Sequence, residues 1–136
     1  VTESSQVGAT ARKWLHAPPA FVYQRVENSL VKGWPDADYL LLGVAGKVEH
    51  KLLPKSGACP KHFTLEQLKF GMTWSAAGGL WHLLGLRVDE WRLYDVAGAR
   101  EFYYGRADAP LVAVRGSFPT GAILEYLAPR DLRRVG

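Results

Sequence analysis

Between Ala37 and Leu53 the chain runs through two apolar stretches parted by glycines, and no other segment restricts the fold so strongly. Ala37-Asp38-Tyr39-Leu40-Leu41-Leu42 reads as a strand, Gly43-Val44-Ala45-Gly46 as a turn, and Lys47-Val48-Glu49-His50-Lys51-Leu52-Leu53 as the returning strand. Side chains alternate across a strand, so Glu49 and Lys51 share one face while Val48 and Leu52 take the other. Folding this hairpin about the centre of its turn sets Leu40 opposite Glu49 and Asp38 opposite Lys51. Asp36, which follows Pro35 just outside the first strand, then falls on the Lys51 side, and its carboxylate and that of Glu49 can reach a common cation.

The remaining segments predict the layers around that hairpin. Thr2 to Leu15 is polar, then amphipathic, and suits a short helix stopped by Pro18-Pro19. Phe21 to Val26 alternates as a strand does, although the same residues could continue into a helix. Pro54 to Pro60 reads as a loop. Thr64-Leu65-Glu66-Gln67 is a capping box opening a helix with Leu65, Leu68, Met72 and Ala76 on one side, ended by Gly78-Gly79. Trp81 to Leu86 and Trp91 to Tyr94 predict two further strands, and Ala97 to Tyr104 a helix. Residues 106–136 carry no clear pattern. Three strands, a helix and another strand imply an α/β fold with a mixed central β-sheet flanked by helices.

A chain of 136 residues with 48% hydrophobic and 22% charged residues suits one folded domain spanning 1–136. The net charge of +4 favours a polyanionic partner. Its basic residues are spread evenly, eight before position 69 and nine from there on, and only Arg130, Arg133 and Arg134 cluster. The single cysteine, Cys59, excludes an internal disulfide and fits a reducing compartment. No run approaches the roughly 20 apolar residues of a membrane span, and no leader resembles a signal peptide, so the expectation is a cytoplasmic protein without a membrane partner.

Two carboxylates and one amine on this hairpin have a definite chemical meaning. Hard divalent cations take oxygen ligands and keep several waters; Asp36 and Glu49 offer carboxylates, and the His50 backbone carbonyl offers a third oxygen. Lys51 cannot ligate while protonated, but it can orient a water and balance charge at phosphorus. Each residue also has an ordinary reading. Aspartate after proline commonly starts a turn, and a Glu-x-Lys pair suits an exposed edge strand. The leucines at 40–42 and 52–53 need covering, which argues against simple exposure. His50, on the opposite face, is expected to pack or meet solvent. Cys59 and His62 lack the second pair of ligands that a zinc site needs. Most of the tryptophans are expected in the core.

The ordered set Glu27, Gly33, Pro35-Asp36, Glu49-x-Lys51 and Gln67 resembles the PD-(D/E)xK nuclease superfamily, above all its small phage, virus-type replication-repair and resolvase-like members. The resemblance covers about residues 20 to 90. It implies a restriction-endonuclease-like core over about 20–105 and a Mg²⁺ (or Mn²⁺) cofactor. It also implies duplex or branched DNA as partner, a homodimer, and the host cytoplasm as location for a phage-encoded chain. Asp36, Glu49, Lys51 and Gln67 would be catalytic, with metal held by Asp36, Glu49, the His50 carbonyl and Glu27. Contacts to DNA would come from Lys32, Trp34, Lys55, Lys61, Lys69, Arg133 and Arg134. Glu27 is otherwise a solvated acid, Gln67 a helix cap, and Arg133 with Arg134 a solvated tail. The activity expected is metal-dependent, structure-selective DNA endonuclease cleavage in phage recombination, repair or genome processing; the rivals are a non-catalytic DNA-binding module and a phage protein-interaction factor.

Overall fold

The computed structural model describes residues 3–27 and 30–129, and the Arg133–Arg134 pair lies outside them. Among these residues four helices flank one six-stranded sheet. In chain order the elements are α1 (Glu3–Leu15), β1 (Phe21–Arg25), β2 (Ala37–Leu41), β3 (Val44–Leu53), α2 (Leu65–Ala76), β4 (Trp81–Arg87), β5 (Glu90–Tyr94), α3 (Val96–Tyr103), β6 (Val112–Arg115) and α4 (Thr120–Leu127). The strands lie side by side in the order β1-β2-β3-β4-β5-β6. All neighbours are antiparallel except β3 and β4. A parallel pair needs a long crossover, and α2 supplies it. The α/β fold with a mixed, helix-flanked sheet is therefore as the sequence order implies.

Strand alternation divides the apolar residues into two cores. Val48 of β3 and Leu84 of β4 face α1 and α4, packing with Val7, Ala11, Leu15, Ile123 and Leu127. Leu53, Trp81 and Leu83 face the other way, against Leu68 of α2 and Ala99 and Phe102 of α3. Covered on both faces, β4 is apolar almost throughout, as a central strand must be. Lys47, Glu49 and Lys51, in phase with Leu53, point to the α2–α3 face.

Two expectations of detail are corrected. The hairpin closes through Leu42 (φ 53°) and Gly43 (φ 83°), two residues earlier than the glycine spacing suggests. Val44 and Ala45 thus join β3. Asp38 pairs with Lys47 and Leu40 with Ala45, rather than Lys51 and Glu49. A two-residue turn with both φ values positive matches the strand twist, but leucine there gives no warning in the sequence. The buried side of α2 is also different: Leu68 and Gly71 face inward, Met72 is 39% exposed, and Ala76 is exposed. The helix approaches the sheet along Gly71, where an added Cβ would lie 2.6 Å from the Trp81 ring.

The segment from residue 106 onward holds β6 and α4. Three of the four residues of β6 are exposed, and α4 begins after Pro119 with no side-chain cap. Neither element carries the alternation or the capping signal that would reveal it.

Candidate active site

Strand β2 stops at Ala37, and the residue before it takes over the edge of β3. The Asp36 backbone carbonyl accepts from Val26 N at 2.8 Å. Its side-chain Oδ2 accepts from His50 N, also at 2.8 Å. The carboxylate thus does for β3 what one more β2 residue would have done with its carbonyl. Because the hairpin register puts Ala37 opposite Val48, one further step puts Asp36 opposite Glu49. The corrected register brings the two carboxylates closer than the sequence reading had them.

Glu49 is wholly buried, and neither carboxylate oxygen has a hydrogen-bond partner among the described residues. Lys51 is 5% exposed, and its Nζ lies 3.4 Å from Glu49 Oε1. That contact is ionic rather than a formed hydrogen bond. Burial pushes the Glu49 carboxyl well above the usual carboxylate range, the Asp36 charge pushes it further, and Lys51 pulls it back. Two carboxyls this close, Glu49 buried and Asp36 half-buried, are costly when both are charged; a proton held between Glu49 and Asp36 removes the cost, and so does a divalent cation in its place.

The loop before Asp36 is held by α2. Gly33 adopts φ 81°, and an added Cβ would lie 2.4 Å from the Glu66 carbonyl oxygen and 3.0 Å from Gln67 N. Only glycine satisfies both the left-handed backbone and the close approach. Gln67 itself closes the capping box: its Oε1 accepts from Thr64 N at 2.9 Å, and its N–H donates to Thr64 Oγ1 at 3.3 Å. Its carbonyl is therefore committed to the helix start, the local reading its spacing allowed.

On the same face, Lys47 is sequestered. Its Nζ lies 2.6 Å from Asp38 Oδ1, 4.7 Å from the Trp34 ring centre and 4.8 Å from that of Trp74. Phe70 sits edge-on to Trp34 and stacks on Trp74. This aromatic cluster ties the Trp34-Pro35-Asp36 approach to α2 and β3. Trp81 and Trp91 are core residues as expected, whereas Trp74 is 36% exposed and Trp34 is half-buried.

Behind the site, on the other face, the His50 ring shares a 2.6 Å hydrogen bond with Tyr23 Oη and stacks on that ring. Burial lowers the His50 imidazole to about 4, which keeps it neutral. Burial, then the charge of Asp36, raises the Tyr23 phenol. His50 packs, as its position opposite Glu49 implies, and only its backbone carbonyl, between Glu49 and Lys51, stays in the candidate ligand set.

Glu27 does not join the cluster. Its side chain is 78% exposed and pairs with Arg25 at 3.1 Å. It lies past the end of β1, where nothing turns it inward. Among the described residues no three His, Cys, Asp or Glu side chains converge, which leaves Cys59 and His62 as no metal centre either. Lys32, Lys55, Lys61 and Lys69 are exposed, on loops or on the outer side of α2. Sequence reasoning overlooked Lys47, Tyr23 and the basic side chains between α1 and β1. Each is linked to its neighbours only through pairing of distant segments. No helix among the described residues is long and apolar enough to cross a membrane.

The chain matches no protein-family model and no curated protein sequence.

Proposed function

We propose that the chain is a metal-dependent DNA endonuclease that hydrolyses phosphodiester bonds, acting on recombination, repair or genome-processing intermediates of a phage. One observation carries this reading. Asp36, Glu49 and Lys51, fifteen positions apart at most, meet at the notch where β1 and β2 end, and the buried Glu49 carboxylate has only the Lys51 ammonium, 3.4 Å away, to balance its charge and that of Asp36.

The donor set fits a hard cation: two carboxylates and the His50 carbonyl, all oxygen, with neither imidazole nor thiolate among them. When bound there, Mg²⁺ or Mn²⁺ supplies Lewis acidity toward a phosphodiester oxygen and makes a water more acidic. Asp36 and Glu49 would hold the cation. Lys51 Nζ, held by Glu49, is placed to orient the attacking water and to donate toward charge developing on the phosphoryl oxygens. Gly33 and the Lys47–tryptophan cluster keep Asp36 at the notch. The basic protein as a whole attracts the polyanion.

The test is incubation of plasmid, linear, single-stranded and four-way-junction DNA with Mn²⁺ or Mg²⁺, beside Asp36→Asn and Glu49→Gln. Metal-dependent products from the wild type and none from either variant are expected. Wild-type turnover by either variant would remove the metal assignment. Calorimetric titration with Mn²⁺ separates a nuclease from a non-catalytic module on the same fold, because only the former needs a carboxylate-dependent site.

A further inference from the structure

A cavity of about 620 Å³ opens between α1 and β1, lined by Arg12, Lys13, His16, Tyr23, Gln24 and Arg25. Three of these six side chains are cationic, a fourth is an imidazole, and no carboxylate lines the cavity. Among the described residues no acid pairs with Arg12 or Lys13, and Arg25 alone has a counterion, the solvent-facing Glu27 at 3.1 Å. His16 is held in place: its Nδ1 accepts from Tyr23 N at 3.1 Å, which leaves Nε2–H of the neutral ring as a donor.

Position gives this groove its meaning. Arg25 pairs with Ala37, the neighbour of Asp36, across a strand spacing of about 5 Å. Val26, the next residue, donates to the Asp36 carbonyl. Arg12 lies close enough for its charge to act on the Tyr23–His50 pair that backs Asp36. The groove and the carboxylates thus lie on opposite faces of the sheet but toward the same end, the notch where β1 and β2 stop; there Asp36 is half-buried while Glu49 and Lys51 are buried. The lysines on the other surfaces show no comparable convergence.

We propose that this groove binds the phosphate backbone of DNA and leads it across the notch to Asp36 and Glu49. The inference rests on the nuclease reading for its direction toward the carboxylates, but its binding half stands alone. A cavity that joins two guanidinium groups, an ammonium and a fixed imidazole donor matches successive phosphate oxygens. No carboxylate in the lining opposes those phosphates. Base identity would not be read there.

The experiment is fluorescence anisotropy of a labelled 20-base-pair duplex, with a chelator present so that no step depends on metal, over 50 to 200 mM salt. The Arg12→Gln, Lys13→Gln, Arg25→Gln variant is compared with Arg100→Gln, Arg106→Gln, Arg115→Gln, which removes the same charge from exposed positions on α3, the turn after it and β6. Circular dichroism melts of both confirm folding, and the single Lys13→Gln variant, exposed and lightly packed, keeps the test valid if the triple variant does not fold. Neutralising about three phosphates accounts for a slope of roughly −2.7 in log K against log salt, or about a 40-fold loss of affinity over that range. The groove variant is expected to lose this component, Lys13→Gln about one unit of slope, and the control variant little. Equal losses in both triple variants would show that bulk charge, not the groove, binds DNA and would overturn the proposal. So would an unchanged slope in the groove variant and in Lys13→Gln, or groove-dependent binding to phosphatidylserine vesicles with none to DNA. Groove-dependent DNA binding by a wild type that cuts nothing with Mn²⁺ would refute the nuclease and leave the groove. Cleavage unaffected by the groove substitutions would do the reverse.

Discussion

Replacing Glu49 by glutamine tests whether this buried acid is a vacancy in the stability of the fold that a cation fills. Glutamine keeps the volume and cannot ionise. In the wild type the Glu49 carboxyl is raised well above its ordinary 4.5, first by burial, then by Asp36. Between 4.5 and that raised value the native state holds a proton that the unfolded chain has released. Stability therefore falls as pH rises through this window, by up to about 1.4 kcal/mol per pH unit for one proton. In Glu49→Gln that contribution is absent, so the difference in unfolding free energy between variant and wild type should grow with pH in the variant's favour. For a chain of this size about 1 kcal/mol corresponds to roughly 4 °C in Tm. Thermal melts in a chelator at half-unit steps from pH 5 to 8 measure the difference. Metal reverses the order. At a hundred times its Kd a cation that binds only the native state adds about 2.7 kcal/mol, or roughly 10 °C, to the wild type and little to the variant. A pH-independent difference between the two proteins would refute the buried-acid argument. Equal stabilisation of both by Mn²⁺ would refute Glu49 as a ligand.

Lys51→Ala should stop single-turnover cleavage and leave Mn²⁺ affinity equal or higher, since an ammonium 3.4 Å from a ligand oxygen opposes the cation; near-normal cleavage would sink the role given to this lysine. Gly33→Ala should cost at least about 2 kcal/mol, measured by denaturant unfolding, because the left-handed backbone and a contact with the Glu66 carbonyl are both lost to a Cβ. A cost below about 0.5 kcal/mol would show that the loop is not held there. His82, which burial lowers to about 4, should destabilise the fold as pH falls from 6.5 to 4, because the unfolded chain takes up the proton first. His82→Gln should flatten that acid-side slope by up to about 1.4 kcal/mol per pH unit, and an unaltered slope would place the titration elsewhere.

What the sequence determined was what local geometry controls. Apolar runs bounded by turn residues marked β2 to β5, alternation marked β1 while leaving a helix open there, and strand geometry put Glu49 and Lys51 on one face, because neighbouring side chains in a strand must point apart. Thr64 and Gln67 marked the start of α2, because a capping box closes within four residues. The order of elements led to a mixed sheet, because a parallel pair needs a helix-length crossover. The tertiary structure decided the rest. Leu42 in a left-handed conformation moved the hairpin register by four partners and set Asp36, not Leu40, opposite Glu49. Whether Glu49 was solvated or sealed depended on α2 lying over that face, and whether Gln67 was free depended on its own cap. Lys47 between two tryptophans and the basic groove of Arg12, Lys13, His16 and Arg25 join segments that no local pattern connects. Backbone periodicity is a property of a few successive residues, whereas register, burial and charge convergence come from contacts between distant ones, and only the packed chain selects among them.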